Sequence, residues 1–153
     1  MKRRTFLKGT VASGMLGVAA SAGLLAPRMV LAEWPKAAFE AKSIDDGLNA
    51  LYGNSSHSES GDIKVKAPDI AENGAVVPIT ISTSMAAESI TVLIEKNPVP
   101  VACTYELGGS TEGFVSTRVK MGKTSDLIAV VKSGGKLHSA KKTVKVTIGG
   151  CGG

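Results

Sequence analysis

The sequence is poor in the side chains that usually carry chemistry. Its 153 residues hold two cysteines and two histidines. His57 falls in a polar loop and His138 on a strand face, isolated and in differing contexts, so neither points to a metal cluster. No nucleophile-elbow motif places a serine for triad chemistry. Gly108-Gly109 and Gly134-Gly135 lack the Lys-Ser/Thr of a phosphate loop and read as hairpin turns. An intrinsic catalytic site is therefore unsupported, and neither cofactor nor metal is expected.

A basic excess is also missing once the N-terminus is set aside. Lys2-Arg3-Arg4-Thr5-Phe6-Leu7-Lys8 matches a twin-arginine export signal, Gly9 to Ala26 is uncharged and moderately apolar, and Val30-Leu31-Ala32 supplies a small-residue cleavage site. A membrane anchor is the rival reading, but that stretch is barely long enough to span and only weakly apolar. No cysteine near the cleavage site invites lipid attachment. Removing residues 1–32 takes five of 18 basic side chains and no acidic one, leaving 13 of each sign. The overall pI of about 9.3 is thus largely the signal's, and nucleic-acid binding loses its main support. Lys141-Lys142 and Lys145 are a short basic run of the kind found on solvated strand faces. The expected organisation is a signal peptide over 1–32, a folded domain over 33–148 and a terminal arm over 149–153, in the periplasm and without a membrane span in the mature form.

Glu33 to Tyr52 has helical character, and Ser43 with Asp45 and Asp46 resembles a helix start before Leu48 and Leu51. Gly53 to Gly61 reads as a polar loop. Short β-branched runs follow at 63–66, 76–84, 89–95, 99–107, 114–121, 127–132 and 136–148, separated by turn signals such as Glu72-Asn73-Gly74 and Lys96-Asn97-Pro98. The prediction is a mainly β fold, an immunoglobulin-like antiparallel sandwich with short helices packed at one end. In the last run Val144, Val146 and Ile148 face one way and Thr143, Lys145 and Thr147 the other, which marks a half-buried strand.

What the sequence does have is a thiol among glycines: Gly149-Gly150-Cys151-Gly152-Gly153. Glycine samples both signs of φ, so these residues have little reason to prefer one conformation or to join a core. Five residues reach at most ~17 Å and typically about 12 Å. Without side-chain bulk the segment can enter a narrow cleft on another protein. An ordinary thiol, with pKa about 8.5, is a few per cent ionised near neutrality. No Lys, Arg or His in the five residues assists ionisation, and the terminal carboxylate opposes it. Activation has to come from the protein that receives the thiol.

The other cysteine, Cys103, alternates with Val101 and Tyr105 on one side of a predicted strand and reads as a small buried hydrophobe. A Cys103–Cys151 disulfide would tie down the segment best suited to be loose. Other readings of the terminal thiol are an incidental cysteine, an intermolecular disulfide, a ubiquitin-like sulfur carrier activated with ATP, a thiol redox centre, or a docking peptide. A redox centre would want a resolving cysteine or a thiol at a helix N-terminus. A ubiquitin-like carrier would want a βαβ pattern and ATP.

The glycine-flanked Cys151, a twin-arginine signal, and the segments Ala71-Glu72-Asn73-Gly74-Ala75-Val76-Val77-Pro78 and Ile94-Glu95-Lys96-Asn97-Pro98-Val99-Pro100 together resemble the SoxY family. That family supplies the substrate-carrying subunit of periplasmic thiosulfate oxidation. The resemblance covers nearly the whole chain. It implies a carrier rather than an enzyme, with Cys151 as the attachment point on a swinging arm made by Gly149, Gly150, Gly152 and Gly153. It also implies a heterodimer with a SoxZ-like subunit. A c-type cytochrome would load thiosulfate, a hydrolase would release sulfate, and a molybdenum-haem sulfane dehydrogenase would oxidise the remaining sulfur. No role is carried onto Cys103.

Overall fold

The computed structural model describes residues 35–147. Among the described residues two short helices come first, α1 (Lys36–Glu40) and α2 (Ile44–Tyr52). Helix α2 starts where the sequence places its cap: the Ser43 hydroxyl accepts the Asp46 amide at 3.1 Å, and Asp45 and Asp46 sit in the positive first turn. Gly53, at φ 69°, ends it in the left-handed conformation.

Nine strands follow: β1 (His57–Glu59), β2 (Ile63–Lys66), β3 (Ile70–Ala71), β4 (Val77–Thr83), β5 (Ser89–Ile94), β6 (Val101–Glu106), β7 (Phe114–Val119), β8 (Ser125–Ser133) and β9 (Lys136–Val146). The larger sheet runs β1-β9-β8-β5-β6, with β3 also paired to β9; the smaller runs β2-β4-β7. The main ladders are antiparallel, while β1 and β3 pair in parallel with the start and the end of β9. Between the sheets lies the main core. Ile79, Ile81 and Val115 contribute from the small sheet, and Ile90, Val92, Leu127, Ala129 and Val144 from the large one.

The expected mainly β sandwich is what forms, but the helices are not at its end. They cover the outer face of the large sheet, where Leu48 packs with Leu93, Val101, Val130 and Leu137 in a second cluster. Strand β5 explains this placement: all six of its residues are buried, so both faces need a cover. Tyr52 fixes the helix there through hydroxyl contacts with Ser89 Oγ at 2.9 Å and Thr91 Oγ1 at 2.6 Å. Gly47 sets how close α2 comes, because a Cβ at that position would lie 2.6 Å from Val101 Cγ2.

Two more expectations change. The segment read as a polar loop contains β1, which its Ser-rich sequence does not announce because only pairing with β9 creates it. Val101 and Cys103 also do not share a face. The β5–β6 register shifts between Val92 and Leu93, pairing Val92 with Cys103 but Leu93 with Val101 and leaving Ala102 as a bulge. An extra residue reverses the alternation, so Val101 joins the helix-side cluster while Cys103 and Tyr105 pack against the inter-sheet core.

Candidate functional site

Cys151 and its flanking Gly149, Gly150, Gly152 and Gly153 lie outside the described residues. What the structure gives is the stretch of chain that precedes them, the end of β9. Its alternation follows the sequence reading as far as Thr147, with Val144 fully buried, Val146 packed on the core, and Thr143, Lys145 and Thr147 exposed; Ile148 lies outside the described residues. Three pairings hold the strand's last turn of backbone. The Lys145 amide donates to the Asp69 carbonyl at 2.9 Å, and the Thr147 amide to the Ala71 carbonyl at 3.0 Å. Thr124 Oγ1 accepts the Val146 amide at 3.0 Å and donates to the Val146 carbonyl at 3.4 Å. Slightly upstream, Lys142 reaches the Ala67 carbonyl at 2.6 Å and the Asp69 carboxylate at 3.0 Å.

Three loops surround this exit and are bonded to one another. The Met121 amide donates to the Gly74 carbonyl at 2.7 Å. The Asn97 side chain spans two loops, donating from Nδ2 to the Lys120 carbonyl at 2.8 Å and accepting the Gly122 amide on Oδ1 at 3.0 Å. The Lys96 amide donates to Ser125 Oγ at 3.0 Å. Segments 71–78 and 94–100, which carry the family resemblance in the sequence, thus converge on the end of the sandwich where β9 leaves. In sequence Asn97 and Gly74 are only turn residues. Their bracing role depends on partners 23 to 72 positions away, and local pattern does not encode those contacts.

The remaining candidates behave as structural residues. Cys103 is a free, partly buried thiol on edge strand β6, beside a cleft of about 270 Å³ that Val99, Thr117, Arg118 and Lys120 also line. Burial pushes its pKa up, and a hydrogen bond with Tyr105 opposes that only in part. A thiol held protonated in this way is a poor nucleophile. His138 is a strand-face residue, as expected. His57 is not a loop residue but an exposed member of β1, its Nδ1 2.9 Å from Ser139 Oγ. The two histidines come onto adjacent strands, yet the register pairs His57 with Leu137 and Ser58 with His138, so they project to opposite faces. Among the described residues no group of His, Cys, Asp and Glu could hold a metal, and no helix is long and apolar enough to cross a membrane.

With this geometry in place, comparison with known proteins is decisive. The family model described as sulfur oxidation protein SoxY matches residues 48–151. The chain belongs to the SoxY family. A solved structure, the sulfur carrier protein SoxY from Chlorobium limicola f thiosulfatophilum, is 40% identical to it with a TM-score of 0.63. The match covers 74% of this chain and 100% of that one. Among curated proteins nothing matches. Membership in the SoxY family makes this a protein of sulfur oxidation with the fold of a sulfur carrier.

Proposed function

We propose that this chain carries sulfur intermediates of thiosulfate or sulfide oxidation covalently on Cys151 and presents them to partner enzymes. The observation that carries this reading is that the family match runs to Cys151 itself. The body complements it, since β9 is paired with β8 as far as Val144 and bonded on its β3 side as far as Thr147, which supplies a fixed origin for residues 148–151.

In the loading step the Cys151 thiol and thiosulfate form a sulfur–sulfur bond, giving a cysteine S-thiosulfonate. The thiol proton goes to solvent, and the two electrons would pass singly to c-type cytochrome haems, one electron per haem. Water then cleaves the bond to the sulfonate, releasing sulfate with a proton and leaving a persulfide on Cys151. A sulfane dehydrogenase oxidises that sulfur further. The chain supplies the sulfur atom of attachment, and its partners supply activation, electron acceptance and hydrolysis. A SoxZ-like subunit completes the carrier as a heterodimer. Residues 1–32 direct it to the periplasm by the twin-arginine route, and 149–153 form the arm.

Intact mass of the exported protein before and after reductant tests this. Sulfur adducts are expected on Cys151, lost on reduction and absent from Cys151→Ser. Adducts confined to Cys103 would overturn the proposal. A redox role is the alternative, and the raised pKa of Cys103 speaks against that residue as its resolving thiol.

A further inference from the structure

Cys151 lies four residues beyond Thr147, whose backbone amide is bonded to the Ala71 carbonyl. At ~3.5 Å per residue the thiol can stand at most about 14 Å from that root. If the thiol is to reach a reacting centre inside another protein, that protein has to close over the end of the sandwich. The loops around the exit are then a contact surface by geometric necessity, and their chemistry describes the partner.

That chemistry is one-sided. Lys96, Lys120, Lys123 and Lys145 are exposed on the exit loops and on β9, whereas the acidic residues there are Glu72, Glu95 and Asp69, the last of which is paired with Lys142. None of the four lysines takes part in an ion pair among the described residues, whose lysine pairs are made by Lys36, Lys132, Lys141 and Lys142. Without the signal the chain has equal numbers of acidic and basic side chains, so this is a local concentration rather than an overall excess. Beside it stand Ile70, 57% exposed and in register with Lys145, and Val76, 50% exposed. These are two of the three exposed large apolar side chains among the described residues.

We infer that this lysine collar, with Ile70 and Val76, is the docking face for partner enzymes, and that it fits a protein surface whose arm-entry mouth is rimmed by acidic side chains. The inference rests on the carrier function proposed above. Charges of this kind steer encounter and fix orientation, so they act on productive association rather than on the chemical step. Lys120 and Lys123 suit a test because Asn97 and Gly122 use only backbone atoms of this loop; reversing the two side chains leaves the bracing intact.

The experiment measures loading of thiosulfate onto Cys151 by the purified c-type cytochrome partner, read by intact mass, across ionic strength. For K120E/K123E in the full chain, KM is expected to rise about ten-fold with kcat unchanged and a flatter salt dependence. Ile70→Asp is expected to shift KM in the same direction. The matched control K64E/K136E reverses two cations at the opposite end, where β2 begins and β8 turns into β9, and is expected to leave KM within about two-fold of the parent. A synthetic peptide of residues 147–153 should be loaded with a much higher KM that is insensitive to salt. The docking inference is overturned if K120E/K123E keeps the parent KM and salt slope, or if the peptide matches the full chain. Failure of the carrier function gives a different signature: Cys151→Ser would then be modified as readily as the parent.

Discussion

Gly74 and Val146 are in such close contact that a Cβ on the glycine would stand 2.7 Å from Val146 Cγ1. The same Cβ would also meet the Met121 carbonyl oxygen, which is backbone and cannot step aside. One position without a side chain thereby lets three pieces of chain meet at the end of β9. Gly74→Ala is expected to destabilise the domain by about 1–3 kcal/mol, the usual cost of overpacking. Chemical denaturation measures this, and amide exchange should quicken at Val146 and Thr147 beyond what the global loss explains. An unchanged midpoint would refute the account.

Asn97 joins two loops by one donated and one accepted hydrogen bond. Asn97→Ala removes both and is expected to cost about 1–3 kcal/mol, because a backbone amide and a carbonyl lose their partner together. Asn97→Asp keeps the acceptor for Gly122 but cannot donate to Lys120 while ionised. Its stability should lie between the parent and the alanine variant and move towards the parent at low pH.

Tyr52 closes α2 onto the large sheet through Ser89 and Thr91, which are 1% and 0% exposed. Tyr52→Phe keeps the ring but leaves Ser89 Oγ without this partner, while Thr91 still has Thr104 Oγ1 at 2.8 Å. A loss of about 1–2 kcal/mol is expected, measured as a lower denaturation midpoint. No loss would mean that water replaces the phenol at no cost.

Cys103 makes stability depend on pH in a defined direction. Its folded pKa lies above that of an ordinary thiol because burial disfavours the thiolate. The unfolded thiol therefore ionises first. The stabilising contribution is complete below the unfolded value and declines as pH rises from there through the folded pKa. Between about pH 8 and pH 10 the parent is expected to lose more stability than Cys103→Ala, the difference isolating this group from lysine and tyrosine titration. Iodoacetamide at neutral pH should label Cys103 slowly in the folded domain and quickly in denaturant; equal rates would contradict the burial described.

Legibility in the sequence followed the range of the interactions. Strands such as 77–83 and 114–119 were readable because alternation and β-branching are local and one face of each is buried. The Ser43 cap was readable for the same reason. Strand β1 was not, since His57-Ser58-Glu59 has no apolar alternation and owes its extended form to β9, some 80 residues away. The bulge at Ala102 was hidden too, because it is a property of the β5–β6 pair and nothing in Val-Ala-Cys-Thr-Tyr-Glu announces it. Of the candidate site, Cys151 stands out in the sequence by its glycine neighbours, and it lies outside the described residues. The bracing by Gly74, Asn97 and Thr124 required the fold.

Strand β9 also determines how the domain bears load. It runs between β8 on one side and β1 and β3 on the other. A pull on the C-terminus, such as a partner would exert while retaining the thiol, is directed along the strand axis. Hydrogen bonds crossing that axis are then strained together in shear instead of opening one by one as in a zipper. The domain can be tugged at its end with its sheet intact, a mechanical property suited to the carrier cycle proposed above.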